Sequence, residues 1–337
     1  MNIGNLLLLR ITINITTAQV TILIMFCALS AAKGMDIKMK ISFMGLGQMG
    51  KGMALNVAKG DCEFLAYDVI DKAFPAFEEK GLKTSTNIED IYDSDAIFLC
   101  LPNTKVVEEV VIGENGLINN LKAGQIIVDC STIGVLETQN IANELAKKGI
   151  DFLDAPVSGR QSKADDGTLT IMVGGKEELY NKLKPYFDFI GNNVLYMGKS
   201  GNGQLTKAIN NCIYDINCAA LAEMLPFAVK LGLEPEQIGK VVNTGTAKSG
   251  ASEFFIPQML EGKFNYGFTM NQAYKDLVSC NEIAAHKGIP LPVLDATTNV
   301  YKMVLLSGYG DLYKGAMICF FENLLGVKFR KGQYKDK

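Results

Sequence analysis

The sequence predicts an α/β domain built on a parallel sheet, joined by a long helix to an all-α domain. Three observations support this class: a glycine-rich turn between a strand and a helix, a regular alternation of apolar strands with helices up to about residue 200, and helical spacing of apolar residues after it. We therefore divide the 337 residues into an apolar extension, an α/β domain and an all-α domain, at 1–38, 39–200 and 201–330.

The first βαβ unit carries a dinucleotide-binding pattern. The apolar strand "KISFMG" is followed by a GxGxxG segment, the helical stretch "KGMALNVAKG" and a second strand, "EFLAYD". Glycines at this turn let the backbone fold tightly and approach a pyrophosphate at the helix N-terminus. The unit predicts a Rossmann-type domain whose cofactor contacts include the six residues Gly45, Leu46, Gly47, Gln48, Met49 and Gly50.

Asp68 ends the second strand, and it bears on the choice of cofactor. A carboxylate here accepts hydrogen bonds from the ribose hydroxyls of NAD and repels the 2′-phosphate of NADP. The residues that follow are "VID", without an arginine that would neutralise a phosphate. The sequence therefore predicts NAD, with NADP less favoured.

The alternation continues with the strands "DAIFLCLP", "GQIIVDCST" and "IDFLDAP", then the late strands "GTLTIMVGG" and "NNVLYMG". Near-continuous apolar strands between helices indicate a parallel sheet covered on both faces. Ligands of such sheets bind beyond the carboxyl ends of the strands. Leu101 and Pro102, Ser131 and Thr132, and the loop after Pro156 are expected at that rim.

The second half is expected to be helical. The stretch "QLTKAINNCIYDINCAALAEMLPFAVKLG" has apolar residues at helical spacing and should be interrupted at Pro226. Further helices are predicted in "PEQIGKVVN", "TMNQAYKDLVSCNEIAAHKG" and "PLPVLDATTNVYKMVLLSG". His286, close to Gly288, is expected to be a surface or C-terminal capping residue.

Five ordered blocks give the chain a family resemblance: "GLGQMG", "DCST", "DAPVSGRQSKADDGTLTIMVGG", "GNGQLTKAINN" and "KDL". Together they resemble the β-hydroxyacid dehydrogenases, the family of 3-hydroxyisobutyrate dehydrogenase and 2-hydroxy-3-oxopropionate reductase. The resemblance runs from about residue 40 to about residue 325. It implies an NAD(P)-dependent oxidoreductase of a small hydroxy acid, assembled as a homodimer or homotetramer with its active site between the domains.

The resemblance also implies roles for individual residues. Lys207 corresponds to the catalytic lysine, a general acid in reduction that assists deprotonation in oxidation; burial that lowers its pKa would suit this work. Asn211 lies four residues on, on the same helical face, and addresses the same substrate. The other implied contacts are Ser158 and Gly159 for the substrate carboxylate, Thr132 near the nicotinamide, Leu101 and Pro102 along the adenosine side, and Lys275 over the cofactor.

Arg160 departs from the family pattern, which commonly reads Ser-Gly-Gly where this chain reads Ser158-Gly159-Arg160. We count it among the substrate-binding residues with three alternatives open. It can bind a second carboxylate, restrict the size of the substrate, or point outward. Lys248 is a second cation that can line the same cleft.

Composition excludes several other classes of function. The formal charge is −3 without a long basic run, so nucleic acid is not an expected partner. The single histidine, His286, leaves Ser-His-Asp and His-rich metal sites without support, and no metal is expected. The eight cysteines form no CxxC pair and indicate reduced core residues and a cytoplasmic protein.

The N-terminal extension has three interpretations. The apolar run at 20–29 followed by "SAA" is similar to a signal peptide, and the uncharged span at 11–32 is long enough to serve as a membrane anchor. The third is that the natural start is Met35 or Met39 and the stretch is an upstream extension.

The sequence favours an NAD-dependent dehydrogenase of a small 3-hydroxy acid, similar to 3-hydroxyisobutyrate. An alternative within the class is an NADPH-dependent reductase of tartronate or succinic semialdehyde. An alternative of another class is a non-catalytic cofactor-binding protein that keeps the fold without turnover.

Overall fold

The structure is a computed structural model that describes residues 38–264 and 268–332. The apolar run at 11–32, with its three interpretations, lies outside the described residues. The domain boundaries drawn from the sequence stay a prediction.

A mostly parallel sheet forms the N-terminal region. Its strands are β1 (Met39–Met44), β2 (Cys62–Tyr67), β3 (Lys83–Ser85), β4 (Ala96–Leu99), β5 (Ile126–Asp129), β6 (Asp151–Asp154), β7 (Val157–Ser158), β8 (Leu169–Gly175) and β9 (Gly191–Gly198). The helices between them are α1 (Gly50–Val57), α2 (Pro75–Glu78), α3 (Thr104–Ile112), α4 (Val135–Lys147), α5 (Gln161–Asp166) and α6 (Glu177–Ile190).

The strand order is β3-β2-β1-β4-β5-β6-β8, with β7 and β9 also paired to β8. The first six strands are parallel and follow the doubly wound order, which reverses between β1 and β4. A ligand crevice is expected at this reversal, beyond the carboxyl ends of the two strands. The glycine loop follows β1 there, and the Leu101–Pro102 segment follows β4.

The sheet departs from the parallel arrangement at one side, where β8 runs antiparallel to β6 and β7. The strands β6 and β7 are two parts of one line broken at Pro156, whose nitrogen has no hydrogen to donate. The Pro156 carbonyl still accepts from the Met172 amide at 3.1 Å, so β8 continues beside both parts. The short helix α5 returns the chain next to the strand it has just left, which produces the antiparallel pairing.

Alternate residues of the central strands pack on opposite faces of the sheet. In β4, Ala96 and Phe98 face a core closed by α1 and α6, while Ile97 and Leu99 face a core closed by α3 and α4. All four side chains are fully buried, which explains why the strand is apolar throughout. The ring of Phe98 packs on Phe43 and Phe187, with centroids 6.1 and 5.8 Å away.

The C-terminal region is helical. Its helices are α7 (Asn202–Lys230), α8 (Pro235–Thr244), α9 (Gly250–Glu261), α10 (Met270–Lys287), α11 (Pro292–Val304) and α12 (Met317–Leu325). Their buried side chains form a separate core around α7. His286 is exposed in the last turn of α10, before Gly288 with φ at 65°, which agrees with the expected surface position.

The prediction that Pro226 interrupts the long helix is wrong, because α7 continues through it to Lys230. Proline removes one backbone donor from the helix, at a cost of about 3 kcal/mol in an exposed helix interior. Pro226 is buried here, and the neighbouring Leu225 and Val229 belong to the apolar core whose packing offsets the missing bond. Tertiary contacts therefore override the local preference.

Among the described residues, α7 is the helix long and apolar enough to cross a membrane. Of its most apolar stretch of 18 residues, 50% is buried inside the protein. The helices α9, α10, α11 and α12 pack around it. The helix therefore lies at the centre of the helical region.

Asp154 joins the sheet to α7. Its fully buried carboxylate accepts the backbone N–H groups of Gly201 and Gln204 at 2.8 and 3.0 Å, and so caps the N-terminus of the helix. The helix approaches so closely that a Cβ at Gly203 would lie 2.3 Å from the carbonyl oxygen of Met172. Residues 201–204 therefore have a fixed position on the sheet.

Candidate active site

The glycine loop has the geometry of a phosphate-binding turn. Gly45 has φ at +94°, and a Cβ there would lie 2.3 Å from the carbonyl oxygen of Cys100. A Cβ on Gly50 would lie 1.8 Å from the Gly45 carbonyl oxygen. A Cβ on Gly47 would meet nothing within 4 Å. Two glycines therefore allow the turn and the helix contact, and the third leaves open space above the loop.

The loop also offers free hydrogen-bond donors. Leu46 is buried, while Gln48 is exposed and Met49 half-buried. Among the described residues, the N–H groups of Gln48 and Met49 have no hydrogen-bond partner. Such amides at the start of a helix suit a pyrophosphate. The residues present therefore fit the predicted dinucleotide.

Asp68 is held between two loops at the end of β2. Its carboxylate accepts the Leu46 N–H at 2.6 Å and the Ile70 N–H at 3.0 Å. A carboxylate has about four acceptor positions, so it can still accept ribose hydroxyls. Val69 and Ile70 beside it are exposed apolar side chains, 76% and 63%. They offer no cation to a 2′-phosphate. The absence of a basic residue directly after Asp68 is also visible in the sequence.

The remaining predicted cofactor residues lie along the rim. The Leu101 N–H donates to the Ser131 hydroxyl at 2.8 Å, and both Pro102 and Thr132 are exposed. The buried side chain of Gln204, on α7, donates to the Ser131 carbonyl oxygen at 2.7 Å. Sequence reasoning missed Gln204, which links the rim to the long helix.

Lys207 lies one turn further along α7. Its burial lowers the pKa of the ammonium to about 8, an effect partly opposed by the negative charge of Asp276 and reinforced by the positive charge of Lys314. The ammonium forms no hydrogen bond or ion pair within residues 38–264 and 268–332. A lysine with this pKa can exchange a proton near neutral pH.

Asn211 is positioned by Asp276, a residue that the sequence analysis did not predict. Its side-chain amide donates to the Asp276 carboxylate at 2.9 Å, which ties α7 to α10. Lys275, the predicted cofactor contact, is exposed one residue before Asp276. The "KDL" block therefore brings the Asp276 carboxylate to Asn211, while the role of Lys275 stays a prediction.

Ser158 and Gly159 form a turn with free donors at the end of β7. Gly159 has φ at +148°, and a Cβ there would lie 2.5 Å from Leu169. Neither the Ser158 hydroxyl nor the Gly159 N–H has a hydrogen-bond partner among the residues that the structure describes. Both can therefore donate to an anion, as expected for the substrate carboxylate.

Arg160 reaches across to the helical region. Its guanidinium carbon lies 3.4 Å from the ring centroid of Phe254 on α9. Its charge also acts on the hydroxyl of Tyr214, whose pKa is raised by burial and held down in part by Arg160. Although the residue as a whole is exposed, the guanidinium does not point away from the cleft.

A buried ion pair lies behind Tyr214. The Lys314 ammonium binds the Asp215 carboxylate and stands 4.6 Å from the Tyr214 ring centroid. Because Asp215 lies four residues after Asn211 on α7, it extends the polar face that carries Lys207. Nothing in the local spacing indicated Lys314, which comes from the segment before α12.

Comparison with known proteins assigns both regions of the chain. Residues 40–198 match the family model for the NAD binding domain of 6-phosphogluconate dehydrogenase. Residues 201–321 match the model for the NAD-binding region of NADP-dependent 3-hydroxyisobutyrate dehydrogenase.

One similar protein is 2-(hydroxymethyl)glutarate dehydrogenase of Eubacterium barkeri, 36% identical over 301 residues that cover 89% of this chain and all of the relative. The chain belongs to the β-hydroxyacid dehydrogenase family. Another member is 2-hydroxy-3-oxopropionate reductase of Escherichia coli K12, 34% identical over 86% of this chain and 99% of the relative. The crystal structure of 3-hydroxyisobutyrate dehydrogenase from Salmonella typhimurium superposes with a TM-score of 0.75 at 26% identity, covering 84% of this chain and all of that one.

The family confirms the predicted fold and class of reaction. This β-hydroxyacid dehydrogenase is an NAD(P)-dependent oxidoreductase that acts on a hydroxyl group. The cofactor supplies the hydride acceptor or donor, and the chain supplies the binding groups and the proton. The glycine loop and Asp68 are the residues that would hold it.

The glycine loop generates a prediction that separates binding from folding. In Gly47→Ala the added methyl group enters open space where the pyrophosphate would lie, so NADH should bind at least about tenfold more weakly, a loss of about 1.4 kcal/mol. The melting temperature should be unchanged, because no protein atom lies within 4 Å of the added atom. Fluorescence titration and thermal denaturation measure the two effects.

Gly50→Ala is the matched variant, and it should lower the free energy of unfolding by about 1–3 kcal/mol or more through its contact with Gly45. Normal NADH affinity in Gly47→Ala would contradict the assignment of the loop.

Proposed function

We propose that this β-hydroxyacid dehydrogenase uses NAD to interconvert a small 3-hydroxy acid, similar to 3-hydroxyisobutyrate, with its semialdehyde. The observation that carries the proposal is Lys207, which has no partner among the described residues and whose pKa burial lowers to about 8. General acid–base catalysis works best when the pKa of the group is close to the working pH. A lysine with its ordinary value near 10.4 would hold its proton too tightly to serve as a base.

Different residues of the site would bind the substrate and transfer the proton. The Ser158 hydroxyl and the Gly159 N–H would bind the carboxylate of the acid. In oxidation the neutral amine of Lys207 takes the proton of the substrate hydroxyl while hydride leaves its carbon. Asn211, oriented by Asp276, would donate to the same oxygen. In reduction the Lys207 ammonium returns the proton.

The pH dependence of turnover tests the role of Lys207. Oxidation needs the neutral amine, so kcat/KM for the hydroxy acid should rise through a pKa of about 8. Reduction needs the ammonium, so kcat/KM for the semialdehyde should fall through the same value. In Lys207→Ala turnover should drop about 10²- to 10⁴-fold with NADH affinity unchanged.

Lys230→Ala is the control for this experiment, since Lys230 is exposed at the far end of the same helix and should leave both profiles unchanged. Near wild-type turnover in Lys207→Ala, with normal cofactor binding, would rule out the catalytic role.

NAD is the proposed cofactor because the Asp68 carboxylate stands where the adenosine ribose would bind. A second candidate is an NADPH-dependent semialdehyde reductase. It is supported by the model matched at residues 201–321, whose description specifies NADP, and by the reductase of tartronate semialdehyde type among the relatives. The two candidates differ in cofactor preference and in the favoured direction of the reaction.

Asp68→Asn tests the choice between them. The wild type should prefer NAD, and removing the charge should shift the ratio of kcat/KM towards NADP by about tenfold or more, equivalent to about 1.4 kcal/mol. Initial rates with NAD and NADP measure the ratio. Asp71→Asn, an exposed carboxylate three residues on, should leave it unchanged. Equal efficiency with NADP in the wild type would favour the second candidate.

We also propose that the enzyme forms a homodimer or homotetramer through α7. Ile209, Ile213, Met224 and Phe227 are exposed along this helix, at 45–57%. Exposed apolar side chains that share one helix mark a site of protein association. Light scattering should give the mass of a dimer or tetramer, and Ile213→Glu should shift it towards the monomer. A monomeric wild type at micromolar concentration would contradict the proposal.

A further inference from the structure

Lys314 and Arg160 both lie beside Tyr214, and they differ in whether a carboxylate of the described residues neutralises them. Lys314 is buried and neutralised by Asp215. Arg160 has no carboxylate partner within the described residues. The cleft therefore contains a positive charge that the described protein groups leave uncompensated. Such a charge, held by the fold beside an active site, is a receptor for an anion.

The orientation of Arg160 suits a carboxylate. Its guanidinium lies over the face of the Phe254 ring, which restricts the motion of the side chain. The five N–H groups of a guanidinium lie in its plane and point away from its edges. Stacking therefore occupies one face, and a side-chain hydrogen bond to Tyr214 uses part of the edge. The remaining edge donors can bind both oxygens of a carboxylate.

The position of Arg160 relates it to the reacting end of the substrate. It directly follows the Ser158–Gly159 turn, which has the free donors for the first carboxylate. On the opposite side of the cleft it meets Tyr214, seven residues after Lys207 and so about 10 Å further along α7. A 3-hydroxy acid with its hydroxyl at Lys207 and its carboxylate at the turn would direct the substituent on carbon 2 towards Arg160.

We propose that Arg160 binds a second carboxylate, carried on the carbon 2 substituent, so that the substrate is a dicarboxylic 3-hydroxy acid. This inference rests on the function proposed above. Phe254 holds the guanidinium in place. Lys314, neutralised by Asp215, makes no contact with the second carboxylate.

Kinetics with three matched acids tests the inference. 3-Hydroxyisobutyrate carries a methyl group on carbon 2, whereas 2-(hydroxymethyl)succinate and 2-(hydroxymethyl)glutarate carry a second carboxylate on one or two methylenes. For at least one of the two dicarboxylates, the wild type should have a kcat/KM about tenfold or more above its value for 3-hydroxyisobutyrate. Arg160→Gln should lower that value about 10- to 100-fold and change the value for 3-hydroxyisobutyrate by less than about twofold.

Lys184→Gln is the matched control, because the Lys184 side chain is 44% exposed on α6 and its charge is already paired with Asp188. It should leave all three values unchanged. An unchanged NADH affinity in Arg160→Gln shows that the variant is folded. Equal effects of Arg160→Gln on the three acids, or no effect, would overturn the inference.

A binding experiment separates this failure from failure of the proposed function. With NADH bound, glutarate should bind the wild type about tenfold or more tightly than butyrate, and Arg160→Gln should abolish the difference. No turnover of any acid, together with a glutarate preference that depends on Arg160, would reject the proposed reaction and keep the subsite. Equal affinity for glutarate and butyrate in the wild type would reject the subsite.

Discussion

The site depends on one buried carboxylate, that of Asp154, which caps the N-terminus of α7 from within the sheet. Burial raises the pKa of this carboxyl to about 6, and the N–H groups of Gly201 and Gln204 oppose the rise. The interaction fixes where the helix starts and how it is rotated. Lys207 and Asn211 take their places on the cleft face because they lie one and two turns beyond this cap.

Charges along α7 are arranged in compensating sets around one lysine. Asp276 binds Asn211, Lys314 binds Asp215, and the charges of Asp276 and Lys314 act on Lys207 in opposite directions. Burial decides the outcome, because it lowers the pKa of the lysine more than the charges of Asp276 and Asp215 raise it. The helical region therefore holds Lys207 and also lowers its pKa.

The sequence locates candidate site residues that follow local spacings. It does not locate residues that reach the site through the packing of distant elements. The glycine loop, Asp68 and the pair Lys207 and Asn211 follow local spacings, so they could be located in advance, although their roles stay predictions. Asp276 and Lys314 reach the site through helix packing that no spacing encodes. The direction of β8 is absent from apolar periodicity as well, since a strand has the same pattern in either direction.

The bond between Gln204 and the Ser131 carbonyl has a mechanical consequence. It fastens the two regions together close to the sheet, with the buried cap of Asp154 beside it. At the opposite end of the cleft they meet in the stacking of Arg160 on Phe254, a type of contact worth about 0.5–2 kcal/mol. The two regions are therefore held together more strongly beside the sheet than at the outer end of the cleft. Any separation of the regions is expected to begin at the contact between Arg160 and Phe254.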